Sequence, residues 1–321
     1  MSAAPRLLGA AAGMALDRIL GEPPAAHPVA AYGRLMAAAE ERLWHDSRWW
    51  GTGFAAGGIG LGAATGAGLR RSAAGRLRRD PAAATPTLAA TTIATAVAVA
   101  GRALAGEART VAAALERGDL DSARARLPAL CGRDPDVLDD KGLARATVES
   151  VAENTVDAVV APAFWAALGG PAGVCAYRAA NTLDAMVGHR SARHLRFGWA
   201  AARLDDAANW VPARLTAVLV AAVRPGAAGD VAAVLRHPPA HPSPNAAVSE
   251  GAFAVALGVR LGGDTIYRGR VDPRPSFGTG RPPEPADIEA AVRLSTDVTA
   301  ALASGLAALG LLSGARGRWH R

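Results

Sequence analysis

Cysteine is scarce. Cys131 and Cys175 are the two in 321 residues, too few for a disulfide framework or a four-thiolate zinc site. Lysine is nearly missing: of 35 Lys and Arg residues, Lys141 alone is lysine. The arginines are scattered, with no zinc-finger spacing, RNP signature or basic–aromatic stripe, so the net charge of +7 gives no nucleic-acid reading. Alternating apolar–polar runs are rare, and a short hairpin around Thr265 to Val271 is the single strand candidate. There is no G-x-x-x-x-G-K-[ST] loop, no G-x-G-x-x-G after a strand and no G-x-S-x-G. His189, His194, His237 and His241 lack zinc spacing. No internal repeat stands out. Disorder is excluded by a hydrophobic content of 50% and a mean hydropathy of +0.14.

What the chain has instead is long apolar stretches. A bilayer-spanning helix needs roughly 20 mostly apolar residues. Trp49 to Leu69, Pro81 to Gly101, Ala158 to Tyr177 and Val298 to Ala315 carry no formal charge, and Ala207 to Val223 is interrupted by Arg214 alone. Leu7 to Leu16 is too short to span and lacks a small-residue cleavage site, which argues against a signal peptide. The stretches are rich in Ala and Gly, so a soluble bundle of buried helices competes with a membrane bundle. Small residues let helices pack closely in lipid, and Trp44, Trp49 and Trp50 suit an interfacial anchor. The expected fold is all-α: a polytopic integral membrane bundle with amphipathic helices and irregular polar loops. It is read as one membrane-embedded catalytic domain, 1–321, with a polar insertion at about 102–157. The charge rule places the link from Arg70 to Asp80, with Arg70, Arg71, Arg76, Arg78 and Arg79, inside. A cytosolic reaction in the polar insertion would require the reverse. Asp119 is a cap candidate, a helix starts near Asp139 or Asp140, and the prolines between Arg236 and Pro244 forbid regular helix.

Four polar clusters carry candidate chemistry. Arg145, Glu149, Glu153 and Asp157 recur every four residues, which puts them on one helix face. The three acids repel unless a cation sits among them, and Mg²⁺ takes one or two carboxylates plus phosphates; a solvated face is the plain alternative. Tyr177 to Arg190 contains Arg178 with Asn181 and Asp184. Arg203 to Arg214 contains Asp205, Asp206 and Asn209. Asn/Asp pairs on two helices beside arginine forks suit a magnesium–phosphate site, or equally polar glue between helices. His241-Pro-Ser243-Pro-Asn245, with Glu250 downstream, reads as a helix N-cap, where an anion is also welcome.

Together and in this order, these runs resemble the CobD/CbiB family, the adenosylcobinamide-phosphate synthases of cobalamin biosynthesis. The matching runs are Asp17 to Glu22 with His27-Pro28-Val29, Glu149 to Pro162, Tyr177 to His189, Phe197 to Arg214 and His241 to Gly263, within about Leu7 to Ser313. Two departures are Ala158 after Asp157, where glycine is expected, and Cys131 in place of a small aliphatic residue. The resemblance implies a multi-pass enzyme of the cell membrane that joins the propionate carboxylate of adenosylcobyric acid to aminopropanol or aminopropanol phosphate. ATP and Mg²⁺ are implied with it, and other late corrinoid-pathway membrane enzymes as partners beside the bilayer; no nucleic acid is expected. Within that reading Glu149, Glu153 and Asp184 hold magnesium. Arg178, Arg203 and Arg214 hold phosphate or propionate. Asp205 or Asp206 is the base, and Asn181, Asn209, Ser243 and Asn245 orient phosphate oxygens. The alternatives are a magnesium-dependent intramembrane transferase acting on phosphate-bearing lipid, a transporter, or a non-catalytic assembly subunit of a membrane corrinoid complex.

Overall fold

The computed structural model describes residues 3–21, 27–76, 85–189, 191–267, 270–272 and 275–319. Glu22, Pro81, Arg190 and the arginines Arg78 and Arg79 of the basic link lie outside these residues.

The helices are α1 (Ala4–Leu20), α2 (Pro28–Leu43), α3 (Arg48–Arg76), α4 (Thr85–Ala98), α5 (Gly101–Glu116), α6 (Leu120–Arg126), α7 (Asp140–Thr155), α8 (Ala161–Leu183), α9 (Trp199–Val223), α10 (Ala228–Arg236), α11 (Ala246–Leu257) and α12 (Pro285–Trp319). Among the described residues, strands form two antiparallel ribbons. β1 (Leu261–Gly262) pairs with β4 (Ser276–Phe277), and β2 (Thr265–Tyr267) with β3 (Arg270–Asp272), Thr265 opposite Asp272. Local chemistry sets several boundaries. The Asp119 and Asp139 carboxylates accept from the amides of Ser122 and Gly142 and so satisfy first-turn donors of α6 and α7. α10 stops at Arg236, ahead of the prolines.

The residues divide into two compact units. The first comprises Met1–Ala100, Asp157–Asn209 and Leu302–Arg321, and the second Gly101–Val156 and Trp210–Ala301. The polar stretch expected at about 102–157 therefore falls, up to Val156, in the same unit as Trp210–Ala301, while Asp157 belongs to the first. In the first unit close helix packing depends on missing side chains. A Cβ at Gly13 of α1 would meet the Thr92 carbonyl oxygen at 2.7 Å. At Gly66 of α3 it would meet the Pro171 carbonyl oxygen at 2.1 Å. This is the small-residue packing of membrane helices, where backbones approach because nothing stands between them. Met36, Phe54, Leu183, Val187 and Phe197 form an apolar cluster there. The second unit buries Leu104, Val111, Leu143, Val148, Phe253 and Ile288.

Among the described residues three stretches, Thr85–Glu116, Asp140–Gly188 and Pro285–Ala315, are long and apolar enough to cross a membrane. The pair Trp199–Val223 and Pro225–Arg236, bent by 117°, makes a fourth if counted as one broken span. The all-α polytopic membrane fold stands, with two corrections. α3 is helical throughout Trp49 to Leu69, but its many glycines keep it outside the set of sufficiently apolar spans. The stretch Ala158 to Tyr177 is interrupted at Gly170 (φ 61°, ψ −148°), followed by Pro171. Proline removes a helix hydrogen bond, and glycine accepts the left-handed φ that bends the chain. Gly66→Ala is expected to destabilise the protein by about 1–3 kcal/mol, the usual cost of overpacking against rigid backbone. Gly60→Ala, whose Cβ meets nothing within 4 Å, is expected to be neutral or slightly stabilising. Thermal midpoints of both variants in one detergent check the contrast.

Candidate functional site

The densest buried polar constellation in the first unit is carried by α8, α9 and the turn before α8. Asn181 sits at its centre. Its amide nitrogen donates to Asp157 Oδ2 at 3.3 Å and to Asp205 Oδ1 at 3.2 Å, and its amide oxygen accepts from Arg178 Nη1 at 3.1 Å. Asn209 Nδ2 donates to the second Asp205 oxygen at 3.0 Å. The Tyr177 hydroxyl lies 2.9 Å from Asn209 Oδ1 and 3.0 Å from the Asp157 carbonyl oxygen. Asp205, Asn209 and Tyr177 are 8%, 1% and 3% exposed, and two membrane-crossing candidates hold them. Polar groups at such positions are costly and mark functional sites by default. Both Asp205 oxygens face neutral amides, so hydrogen bonding is satisfied while the charge is not met by a direct ion pair. Arg178 keeps a buried Nε–H without a partner, at a cost of about 1–3 kcal/mol for an unsatisfied buried donor. An anionic ligand oxygen would satisfy it.

Arg178, Asn181, Asp205 and Asn209, all expected as site residues, thus meet. The contact of Asp157 with Asn181 and the part of Tyr177 were missed. The four-residue ladder assumed 3.6 residues per turn throughout, but the chain winds as π-helix from Val156 to Val160. The wider turn breaks the four-residue period at Asp157. A second π turn runs from Asp184 to Gly188. Both follow the same sequence, Asn154-Thr-Val-Asp157-Ala-Val-Val and Asn181-Thr-Leu-Asp184-Ala-Met-Val, with five of seven positions identical. Both threonines donate to the carbonyl four residues back, Thr155 at 2.6 Å and Thr182 at 2.7 Å. This repeat corrects the reading that none stands out, and it was the available signal. π turns are rare and concentrate at functional sites.

The other expected residues fall elsewhere. Glu149 is corrected from metal ligand to internal counter-ion: in the second unit one oxygen pairs with buried Arg133 and the other accepts from the Gly262 amide at 2.7 Å. Arg145, the basic member of the four-residue ladder, donates to the carbonyls of Gly262 and Asp264. Glu153 is exposed on α7. Asp206 faces exposed Arg203 at 3.7 Å, a surface-type pair. Asp184 lies so close to Gly188 that a Cβ there would come within 1.8 Å of its carboxylate. Arg214 donates to Asn245 Oδ1 at 3.2 Å and stacks on Trp210 at 4.3 Å. The Ser243 hydroxyl accepts from the amides of Asn245 and Ala246, both at 3.3 Å, but α11 starts two residues later than expected, with Asn245 rather than Ser243 at its N-cap. Buried His241 and Glu250 face each other at 3.9 Å. Burial pushes the Cys131 thiol up, which keeps it protonated and unreactive.

Among the described residues no three His, Cys, Asp or Glu side chains gather closely enough to hold a metal by themselves. Two carboxylates on one amide, with oxygen donors around them, fit a hard cation such as Mg²⁺ that brings phosphate and water ligands of its own.

The family model described as CobD/Cbib protein matches residues 10–295. Cobalamin biosynthesis protein CobD of Mycobacterium tuberculosis is 49% identical over 303 residues, covering 93% of this chain and 94% of its own. The protein of the same name from Chromobacterium violaceum is 42% identical over 298 residues, covering 87% and 88%. No solved structure matches the chain.

Proposed function

The chain belongs to the CobD/CbiB family of cobalamin biosynthesis, and we propose that it is the cell-membrane enzyme that joins adenosylcobyric acid to aminopropanol or aminopropanol phosphate. The bond formed is an amide on a propionate side chain, and the product is adenosylcobinamide or its phosphate. The observation that carries this reading is the Asp157–Asn181–Asp205 node with the unpartnered Arg178 donor beside it, buried in helices of a membrane protein.

A carboxylate resists attack by an amine because resonance and charge lower its electrophilicity. When bound, ATP would supply the phosphoryl group that activates the carboxylate, with ADP and then phosphate as leaving groups, and magnesium would supply charge neutralisation over the phosphate oxygens. Asp157 would hold the metal, with phosphate and water completing its shell. Arg178 has a donor free to bind a phosphate or propionate oxygen, and its bond to Asn181 fixes its aim. Asn181 holds Asp157 and Asp205 at a set separation. The amine attacks as its free base, so a proton must leave the incoming ammonium. Asp205 can accept it without breaking an ion pair, whereas Asp206 would have to leave Arg203.

The direct test uses the protein in lipid nanodiscs with adenosylcobyric acid, ATP, Mg²⁺ and either acceptor. The expected result is a corrinoid heavier by the acceptor minus water, with one ATP consumed per amide. Corrinoid binding without product from either acceptor would overturn the reading in favour of an assembly subunit.

A further inference from the structure

A second polar string lies in the first unit, outside the membrane-crossing candidates and independent of the proposed reaction. Glu40 on α2 accepts at one oxygen, Oε1, from Arg193 Nε at 3.0 Å and from His194 Nε2 at 2.9 Å. His194 Nδ1 faces His189 Nε2 at 3.0 Å, with the two rings edge to face. The Glu40 and His194 side chains are 14% and 10% exposed, while His189 is exposed. Trp44 of α2 donates to the Arg193 carbonyl at 3.0 Å, and the Arg193 guanidinium lies over the Trp44 ring at 4.7 Å. Arg196 reaches Asp46 at 3.6 Å.

We propose that Glu40, His194 and His189 form a proton-operated latch, which holds the turn from Ser191 to Gly198 against α2 and releases it when both imidazoles are protonated. The argument is one of donors and acceptors. A carboxylate only accepts, so His194 Nε2 carries a proton. Its Nδ1 then either accepts from a protonated His189 Nε2 or, as imidazolium, donates to an unprotonated one. Both arrangements keep one hydrogen between the rings. A second proton puts hydrogens on both facing nitrogens and two like charges beside the fixed charge of Arg193. The charged groups of α2 are Arg34, Glu40, Glu41 and Arg42, and beside Glu40 the turn presents Arg193 and the Arg196–Asp46 pair. Burial raises the Glu40 carboxyl, but its hydrogen bonds from His194 and Arg193 outweigh burial and hold it below the ordinary glutamate value. The carboxylate therefore stays charged while imidazoles titrate. The latch is closed while a single hydrogen lies between the two rings, and opens when falling pH places a proton on each facing nitrogen. What it holds matters: Phe197 of the same turn is buried 5.0 Å from Phe54, and a Cβ at Gly198 would meet the Val187 carbonyl oxygen at 1.7 Å. The turn also leads from the second π turn into α9, which carries Asp205 and Asn209.

Hydrogen exchange of the full-length protein in nanodiscs tests this, with peptides covering 191–198 compared at each pH from 5 to 8 between the wild type and His189→Gln. The ratio at fixed pH cancels intrinsic exchange chemistry. Glutamine at 189 takes up no proton in this range, so the variant stays latched. The ratio of wild-type to variant exchange is expected to rise about tenfold between pH 8 and pH 5, the factor that corresponds to one pKa unit. A ratio flat across this range overturns the proposal. Since His189 is exposed, the variant should fold. As a second arm, Glu40→Gln should speed exchange of the turn at pH 8 as well, and protection equal to wild type there would also count against the latch.

Discussion

Glu149→Ala is expected to cost about 3–5 kcal/mol of stability, because it leaves the Arg133 guanidinium buried without its counter-charge. The two side chains are 7% and 3% exposed, so water cannot take over the lost role. The Gly262 amide loses its acceptor in the same change. Glu153→Ala, at an exposed position on the same helix, is expected to stay within about 0.5 kcal/mol of wild type. The double replacement Arg133→Met with Glu149→Met should recover much of the loss, since a buried ion pair exchanged for apolar groups of similar volume is often near neutral. Unfolding midpoints in detergent separate the three. If Glu149→Ala kept the wild-type midpoint and showed instead a raised magnesium requirement, Glu149 would be a ligand after all.

Helices and their limits were largely legible in the sequence, because they rest on local chemistry. Apolar length marked the spans, prolines ended α10, and Asp119 and Asp139 cap as their residue types suggest. The hairpin at Thr265 to Val271 also formed, as β2 and β3. The errors came where local rules do not reach. The four-residue ladder failed because a π turn at Val156–Val160 changes the period by which side chains are assigned to faces. Apolar composition concealed the bend at Gly170 and Pro171, since neither residue interrupts hydropathy. Glu149 was misread because its counter-ion, Arg133, comes from an irregular turn that no helical spacing connects to it. The acids and amides of Tyr177 to Arg214 fared better: Arg178, Asn181, Asp205 and Asn209 meet through helix packing, while Arg203 and Asp206 face each other at the surface. Sequence reading can nominate such residues by type, but helix rotation decides which of them meet.

The sharpest division follows from that rotation. Asp205 and Asp206 are adjacent in sequence and were interchangeable as candidates for the base. On α9 one is turned into the node and the other toward Arg203. Asp205→Asn sets an amide against the donating amides of Asn181 and Asn209 and removes the proton acceptor. Loss of a positioned general base typically costs about 10²–10⁴ in rate, and a fall of that size in kcat is expected with the fold retained. Asp206→Asn breaks a solvent-screened pair worth about 0–1 kcal/mol, so kcat should change by no more than a few-fold. Asp157→Asn should differ from both by raising the Mg²⁺ concentration needed for half-maximal rate. Amide formation measured for the three variants in nanodiscs across a magnesium titration distinguishes these outcomes. Equal losses for Asp205→Asn and Asp206→Asn would mean that the buried node does not set the chemistry, and the assignment of the base to Asp205 would fall.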